Sequence, residues 1–149
     1  MSNYKVFFEH LPSTIVCVFI LCYFIGLNFF FIYLCIFFGW LIDIDHMFDY
    51  FLFKKSIKFN LKEFISGKYF NISRTIYIPL HSYELSLILF LLYFINNEVG
   101  VIFVCLSHVL HLVQDQISNK TKPLSYFFIY RALHSFKINY VCAIIPILW

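Results

Sequence analysis

A chain of 149 residues has room for one domain and one core, so whatever it does falls to a single site or a single surface. Hydrophobic residues make up 62% of it and charged residues 13%, against roughly 45–50% and 25% in ordinary soluble proteins. That balance points to a membrane-embedded protein and leaves a very apolar, wholly helical soluble core as the alternative. A net charge of +3 gives no reason to expect nucleic acid. The five cysteines (Cys17, Cys22, Cys35, Cys105 and Cys142) all sit in apolar runs without a C-x-x-C pair, which argues against a disulfide framework or a thiolate zinc site.

In chain order, Lys5 precedes the apolar stretch STIVCVFILCYFIG, and no small-x-small cleavage signal follows it. The reading is a retained anchor, not a removed leader. Apolar runs over 11–25 and 28–42 are separated by Gly-Leu-Asn at 26–28, and runs over 84–95 and 99–114 by Asn-Asn-Glu-Val-Gly at 96–100. Both separators are turn chemistry between antiparallel helices, so the expected fold is all-α, a membrane-embedded bundle of two helical hairpins. Strands fit poorly, because the Phe, Ile and Leu runs do not alternate with polar residues. Each run falls short of the roughly 20 residues that a 30 Å hydrocarbon core requires, which leaves the number of full crossings open. Between the hairpins, residues 54–75 interleave Lys with Phe, Ile and Leu. This segment is expected to lie on a membrane surface, with a solvated loop as the alternative. A fifth run, YVCAIIPILW, ends the chain and is expected at most to dip into the bilayer.

Two hairpins put the N-terminus, the 43–81 loop and everything after 115 on one face. All eleven Lys and Arg lie in those segments and none in the two turns, so by the positive-inside tendency that face is cytoplasmic. The same topology gathers His10, the cluster Asp43, Asp45, His46 and Asp49, then His81 and Glu84, and finally His108, His111 and Asp115 at matching helix ends. Four helix ends could then converge on one interfacial polar pocket.

On a helix, His108, His111 and Asp115 are spaced i, i+3 and i+7 and share a face, while Asp43 and His46 are three apart and Asp45 and Asp49 four apart. Imidazole and carboxylate without thiolate suit a divalent metal, Zn first and Mn or Fe next, as one ion or two. A bound cation makes hydrolysis the most economical chemistry. Glu84 or Asp49 would serve as general base, and Arg131 would hold an anionic group such as phosphate. Each group also has a plainer reading: the aspartates as a polar stop after an apolar run, Glu84 as an acid favoured at a helix N-terminus, and Arg131 as a snorkelling interfacial side chain.

With those residues assembled, the chain resembles a bacterial family of small membrane-bound proteins regarded as metal-dependent hydrolases, whose fold is distantly similar to zinc-dependent phospholipase C. The resemblance covers nearly the whole chain and rests on His10, Asp-Ile-Asp-His at 43–46, His81-Ser82, and His111 with Asp115 in HLVQD, followed by QISNKTKPLSYFFIYR. It implies a phospholipase C-like helical arrangement in a bacterial inner membrane, with these residues as metal ligands. Two departures stand out. Many relatives carry a His-Arg pair just before the His-Ser, where this chain has IYIPLHS, and His108 is an addition that could be a further ligand or a partner of one. The expected function is thus a membrane-bound metal-dependent hydrolase of a phosphoester or other ester, lipids included. The alternatives are a non-catalytic metal-binding or transport-accessory protein and a purely structural membrane subunit.

Overall fold

A computed structural model describes residues 10–142, and every regular element in them is helical. In order these are α1 (Leu11–Ile25), α2 (Phe29–Gly39), a 3-10 turn (Leu41–Asp45), α3 (His46–Lys54), α4 (Leu61–Ser66), α5 (Lys68–Ser73), α6 (Tyr83–Asn96), α7 (Val99–Ser118), α8 (Phe128–Leu133) and α9 (Ile138–Val141). Extended pairing among the described residues is limited to two isolated bridges, Thr75 with Lys137 and Thr121 with Cys142. Lys5 and most of the last apolar run lie outside the described residues.

The two expected hairpins form, and local chemistry sets their ends. Pro12 opens α1, where its missing N–H costs nothing, and Gly26 closes it with φ 73°, a conformation that disfavours any side chain. The Asn28 side chain accepts a hydrogen bond from the Phe31 amide and starts α2. Ser82 does the same for α6 through the Leu85 amide, and Asn97 ends that helix in the left-handed region. The 28–42 run does not continue as one helix. It breaks at Trp40 into the 3-10 turn that carries Asp43 and Asp45.

Helix α7 packs against α1, α2 and α6 at once. Its meeting with α2 depends on two glycines: a Cβ on Gly39 would run into the side chains of Ser107 and Thr14, and one on Gly100 into the ring of Phe31. Leu21, Phe31, Cys35, Leu89, Phe103 and Val104 fill the space between the four long helices. A second cluster, with Ile76, Ile78, Leu112, Tyr126 and Ile138, binds the 75–78 segment and the tail over the lower part of α7.

Length separates the helices. At 1.5 Å per residue the 20 residues of α7 reach about 30 Å, enough to cross a hydrocarbon core, whereas the 15 of α1 and 14 of α6 reach only about 21–23 Å. Helix α2 passes the same test only together with the chain through Lys54, across a 58° bend. Four straight crossings are therefore not what the fold provides. The exterior of α1, α2 and α6 is strongly apolar, with Tyr23 84%, Leu27 77% and Ile95 75% exposed near the two hairpin turns.

If close α2–α7 contact holds the bundle, Gly39→Ala should destabilise it by about 1–3 kcal/mol through overpacking. In thermal unfolding of detergent-purified protein, Leu91→Ala on the exposed face of α6 should leave the midpoint nearly unchanged. A Gly39→Ala protein as stable as wild type would show that the helices do not meet as described.

Candidate metal centre

Four elements bring one polar cluster together. His10 precedes α1, Asp43 and Asp45 lie on the 3-10 turn, His81 sits just before α6, and His111 and Asp115 occupy the last part of α7. At its centre, His81 Nε2 is 3.0 Å from His111 Nε2, 3.1 Å from Asp43 Oδ1 and 3.4 Å from Asp115 Oδ2. His111 Nε2 is 3.4 Å from Asp43 Oδ1 and 3.7 Å from Asp115 Oδ2. Ligands about 2.0–2.1 Å from a tetrahedral ion lie roughly 3.3 Å from one another. Asp43, His81, His111 and Asp115 can thus hold a metal ion between them. Two carboxylates and two neutral imidazoles also balance a divalent charge, as burial demands.

The outer nitrogens of these imidazoles are anchored, which turns Nε2 inward. His111 Nδ1 donates to the Gly39 carbonyl (3.2 Å), and His81 Nδ1 lies 3.0 Å from both oxygens of Asp45. Asp45 in turn accepts from the Leu80 amide. His10 Nδ1 faces Gln114 Oε1 at 3.2 Å, leaving His10 Nε2 3.2 Å from Asp115 Oδ1 but out of line for a hydrogen bond. This carboxylate–histidine–metal pattern fixes the tautomer and raises ligand basicity. Asp115 Oδ2 also accepts from the Tyr126 hydroxyl at 3.2 Å. Sequence reasoning gave no role to Tyr126, Gln114 or the Gly39 carbonyl, because each reaches the site through tertiary packing. On the other side, His46 Nε2 stands 3.6 Å from Asp43 Oδ1, and His46 forms a second possible ligand group with Asp45 and His81. His10, His81 and His111 are fully buried while His46 and Asp43 are partly exposed, so the cluster opens on that side.

Other expected site residues are engaged elsewhere. His108 shares the helix face of His111 but lies closer to the bundle centre, where Nε2 donates to the Leu80 carbonyl and Nδ1 accepts from the Ser86 hydroxyl. It braces the Leu80–His81 segment instead of joining the cluster. Glu84 accepts from the amides of Phe128 and Ile129, so it caps α8 and not its own helix. Asp49 is buried and accepts twice from the Tyr77 amide. With their oxygens committed to backbone donors, Glu84 and Asp49 are poorly placed as general bases. Arg131 neither snorkels nor faces an open cleft: it is fully buried and donates from Nη2 to the His81 carbonyl at 2.8 Å. It props the ligand-bearing turn from behind.

Burial alone would lower the proton affinity of His81, but the carboxylates of Asp45 and Asp43, with Asp115 beyond, outweigh it and push its pKa up to about 10. Without metal, a proton on His81 therefore does part of a cation's work. The folded pKa lies above the ordinary 6.5, so this stabilisation is full below pH 6.5 and is lost as pH rises through about 10. Metal-free protein should lose thermal stability across that window, and bound Zn should abolish the slope. Calorimetry should register release of at least one proton on Zn binding near pH 7.5; proton-independent binding would show that His81 is not a ligand. Among variants, His111→Ala and Asp43→Ala should lose the ion, Asp45→Asn should weaken binding about 10–100-fold, and His108→Ala should keep it. Compared with protein-family models, with curated proteins and with solved structures, the chain matches none.

Proposed function

We propose that the protein is a membrane-embedded, divalent-metal-dependent hydrolase acting on a phosphoester or other ester. The observation that carries this reading is the four-residue ligand group with Asp43 partly exposed beside His46, where a water could add as a fifth ligand on the open side. Asp43, His81, His111 and Asp115 would hold a divalent ion, which when bound would lower the pKa of a water toward neutral and polarise a carbonyl or phosphoryl oxygen. The protein's own residues do the rest. His81 and His111 are locked in one tautomer by Asp45 and Gly39, and Asp115 is held by Tyr126. Full burial of His10, His81 and His111 excludes bulk water from their side of the cluster and strengthens its charge interactions.

With Glu84 and Asp49 committed to backbone, proton transfer falls to His46. It is the one cluster imidazole whose side chain is partly exposed, and its Nε2 stands 3.6 Å from Asp43 Oδ1. Such a group can take a proton at the site and pass it to solvent.

Two features support the membrane reading. Soluble monomers rarely expose contiguous apolar patches of more than a few hundred Å², yet Tyr23, Phe24, Leu27, Phe29 and Phe30 stand exposed together around one hairpin turn. On the 54–75 segment, exposed Ile57, Leu61 and Ile72 are interleaved with exposed Lys58, Lys62 and Arg74, as an interfacial surface requires. Orientation with the site toward the cytoplasm follows from the placement of the lysines.

The test is turnover of bis(p-nitrophenyl) phosphate, a p-nitrophenyl acyl ester and phosphatidic acid vesicles by Zn-loaded protein in detergent, with metal content measured on every sample. Wild type should turn over at least one of them, and a chelator should stop it. His111→Ala should lose both metal and turnover. His46→Gln should retain the metal and lose about 10²–10⁴-fold in rate. Stoichiometric metal without turnover of any ester would favour the non-catalytic metal-binding alternative.

A further inference from the structure

A groove of about 320 Å³ runs between α1 and α2, open along one side. Leu11 and Trp40 line one end, Val18 and Ile36 its middle, and Cys22 and Leu27 the other. The one hydroxyl side chain in its wall, Thr14, donates to the His10 carbonyl, so it turns its oxygen away and leaves the groove apolar. The near end abuts the metal centre through the chain itself. Leu11 follows the fully buried His10, and Trp40 follows Gly39, whose carbonyl orients His111, and precedes the turn bearing Asp43.

Resting on the hydrolase reading above, we propose that this groove receives one hydrocarbon chain of the lipid whose polar head is hydrolysed at the metal centre. Length and volume select this occupant. From Leu11 to Cys22 the groove extends about 16 Å at 1.5 Å per residue, close to half of a roughly 30 Å hydrocarbon core and therefore to one leaflet. A helix from a second copy, about 10 Å across, would need on the order of 1,000 Å³ over that length, far more than the groove offers. An extended chain, by contrast, is thin, apolar and available in the bilayer at the open side. A chain seated here with its end near Cys22 and Leu27 carries its head group to the His10 end, beside the cluster.

The probe is a sixteen-carbon lysophosphatidic acid with a photoreactive diazirine either near the head group or near the chain end, cross-linked to the full-length, Zn-loaded protein in detergent and mapped by mass spectrometry. The head-proximal probe should label Leu11 to Ile15 and the neighbourhood of Trp40, and the chain-end probe Cys22 to Leu27. Val18→Trp and, independently, Ile36→Trp should cut adduct yield at least tenfold without changing metal content. Adducts spread equally over the exposed face of α6, labelling in the same place by both probes, or undiminished labelling in both tryptophan variants would overturn the groove. Cross-linked dimers through groove peptides with the probe excluded would assign it to a second copy instead. Metal content separates the two readings: bound metal with disordered adducts removes only the groove, whereas ordered adducts on protein that holds no metal remove the hydrolase and leave a lipid site.

Discussion

Three carboxylates, Asp43, Asp45 and Asp115, are drawn inside a bundle whose outer surface is largely hydrocarbon. Each costs several kcal/mol to bury unless positive charge or hydrogen bonds meet it, and most of the site follows from meeting that cost. Asp45 is answered by the Leu80 amide and by His81, and Asp115 by Tyr126 and His10. Arg131, fully buried at the back of His81, interacts electrostatically with Asp45 across the turn it supports. A cation shared by Asp43, Asp115, His81 and His111 forms a neutral unit and leaves Asp45 to the arginine. Without a cation, the proton that these carboxylates hold on His81 supplies part of the missing positive charge.

The scaffold and the ligands are coupled through the backbone. Gly39 lets α2 approach α7 at Ser107, and its carbonyl, freed from helical pairing at the end of α2, is what orients His111. Ser107 in turn donates to the Cys35 carbonyl one turn earlier. The close contact that stabilises the bundle therefore sets the ligand tautomer as well. His108 does the equivalent for the other ligand-bearing segment: it holds Leu80 while Asp45 takes the Leu80 amide and His81 follows. A neutral histidine suits this role because one nitrogen donates and the other accepts.

Much of this was legible from sequence because periodicity and turn chemistry are local. Both hairpins appear, α1 over the expected 11–25, and the pair His111 and Asp115, one helical turn apart, meets in the cluster. What failed was reasoning from helix face alone. His108 and Asp115 do share a face, but seven residues at 1.5 Å each separate them by about 10 Å along the axis, too far for one ion. Glu84 and Asp49 were misplaced for a different reason: a carboxylate near a histidine in sequence goes to whichever donors need it. Here these were the unpaired amides opening α8 and the Tyr77 amide, both supplied by distant chain. Arg131 shows the same limit, since its partner is a carbonyl fifty residues away.

Helix length also bears on what the site can reach. From Val99 to Asp115 is sixteen residues, about 24 Å along α7. On the membrane reading, an Asn96–Glu98 turn at one headgroup layer puts the cluster several ångströms inside the opposite edge of a roughly 30 Å hydrocarbon core. That is the level of lipid linkages to their head groups, not of solutes in bulk water. The hairpin of α1 and α2 starts beside the cluster at His10 and turns near the level where α7 begins, since Phe31 packs on Gly100 and Phe24 on Phe103. A metal centre at that depth with one partly open side would meet substrates that arrive laterally through the bilayer. On the same reading so polar a cluster would be tolerated in so apolar a chain, because head groups and water would reach the partly exposed Asp43 and His46 while His10, His81 and His111 stay buried.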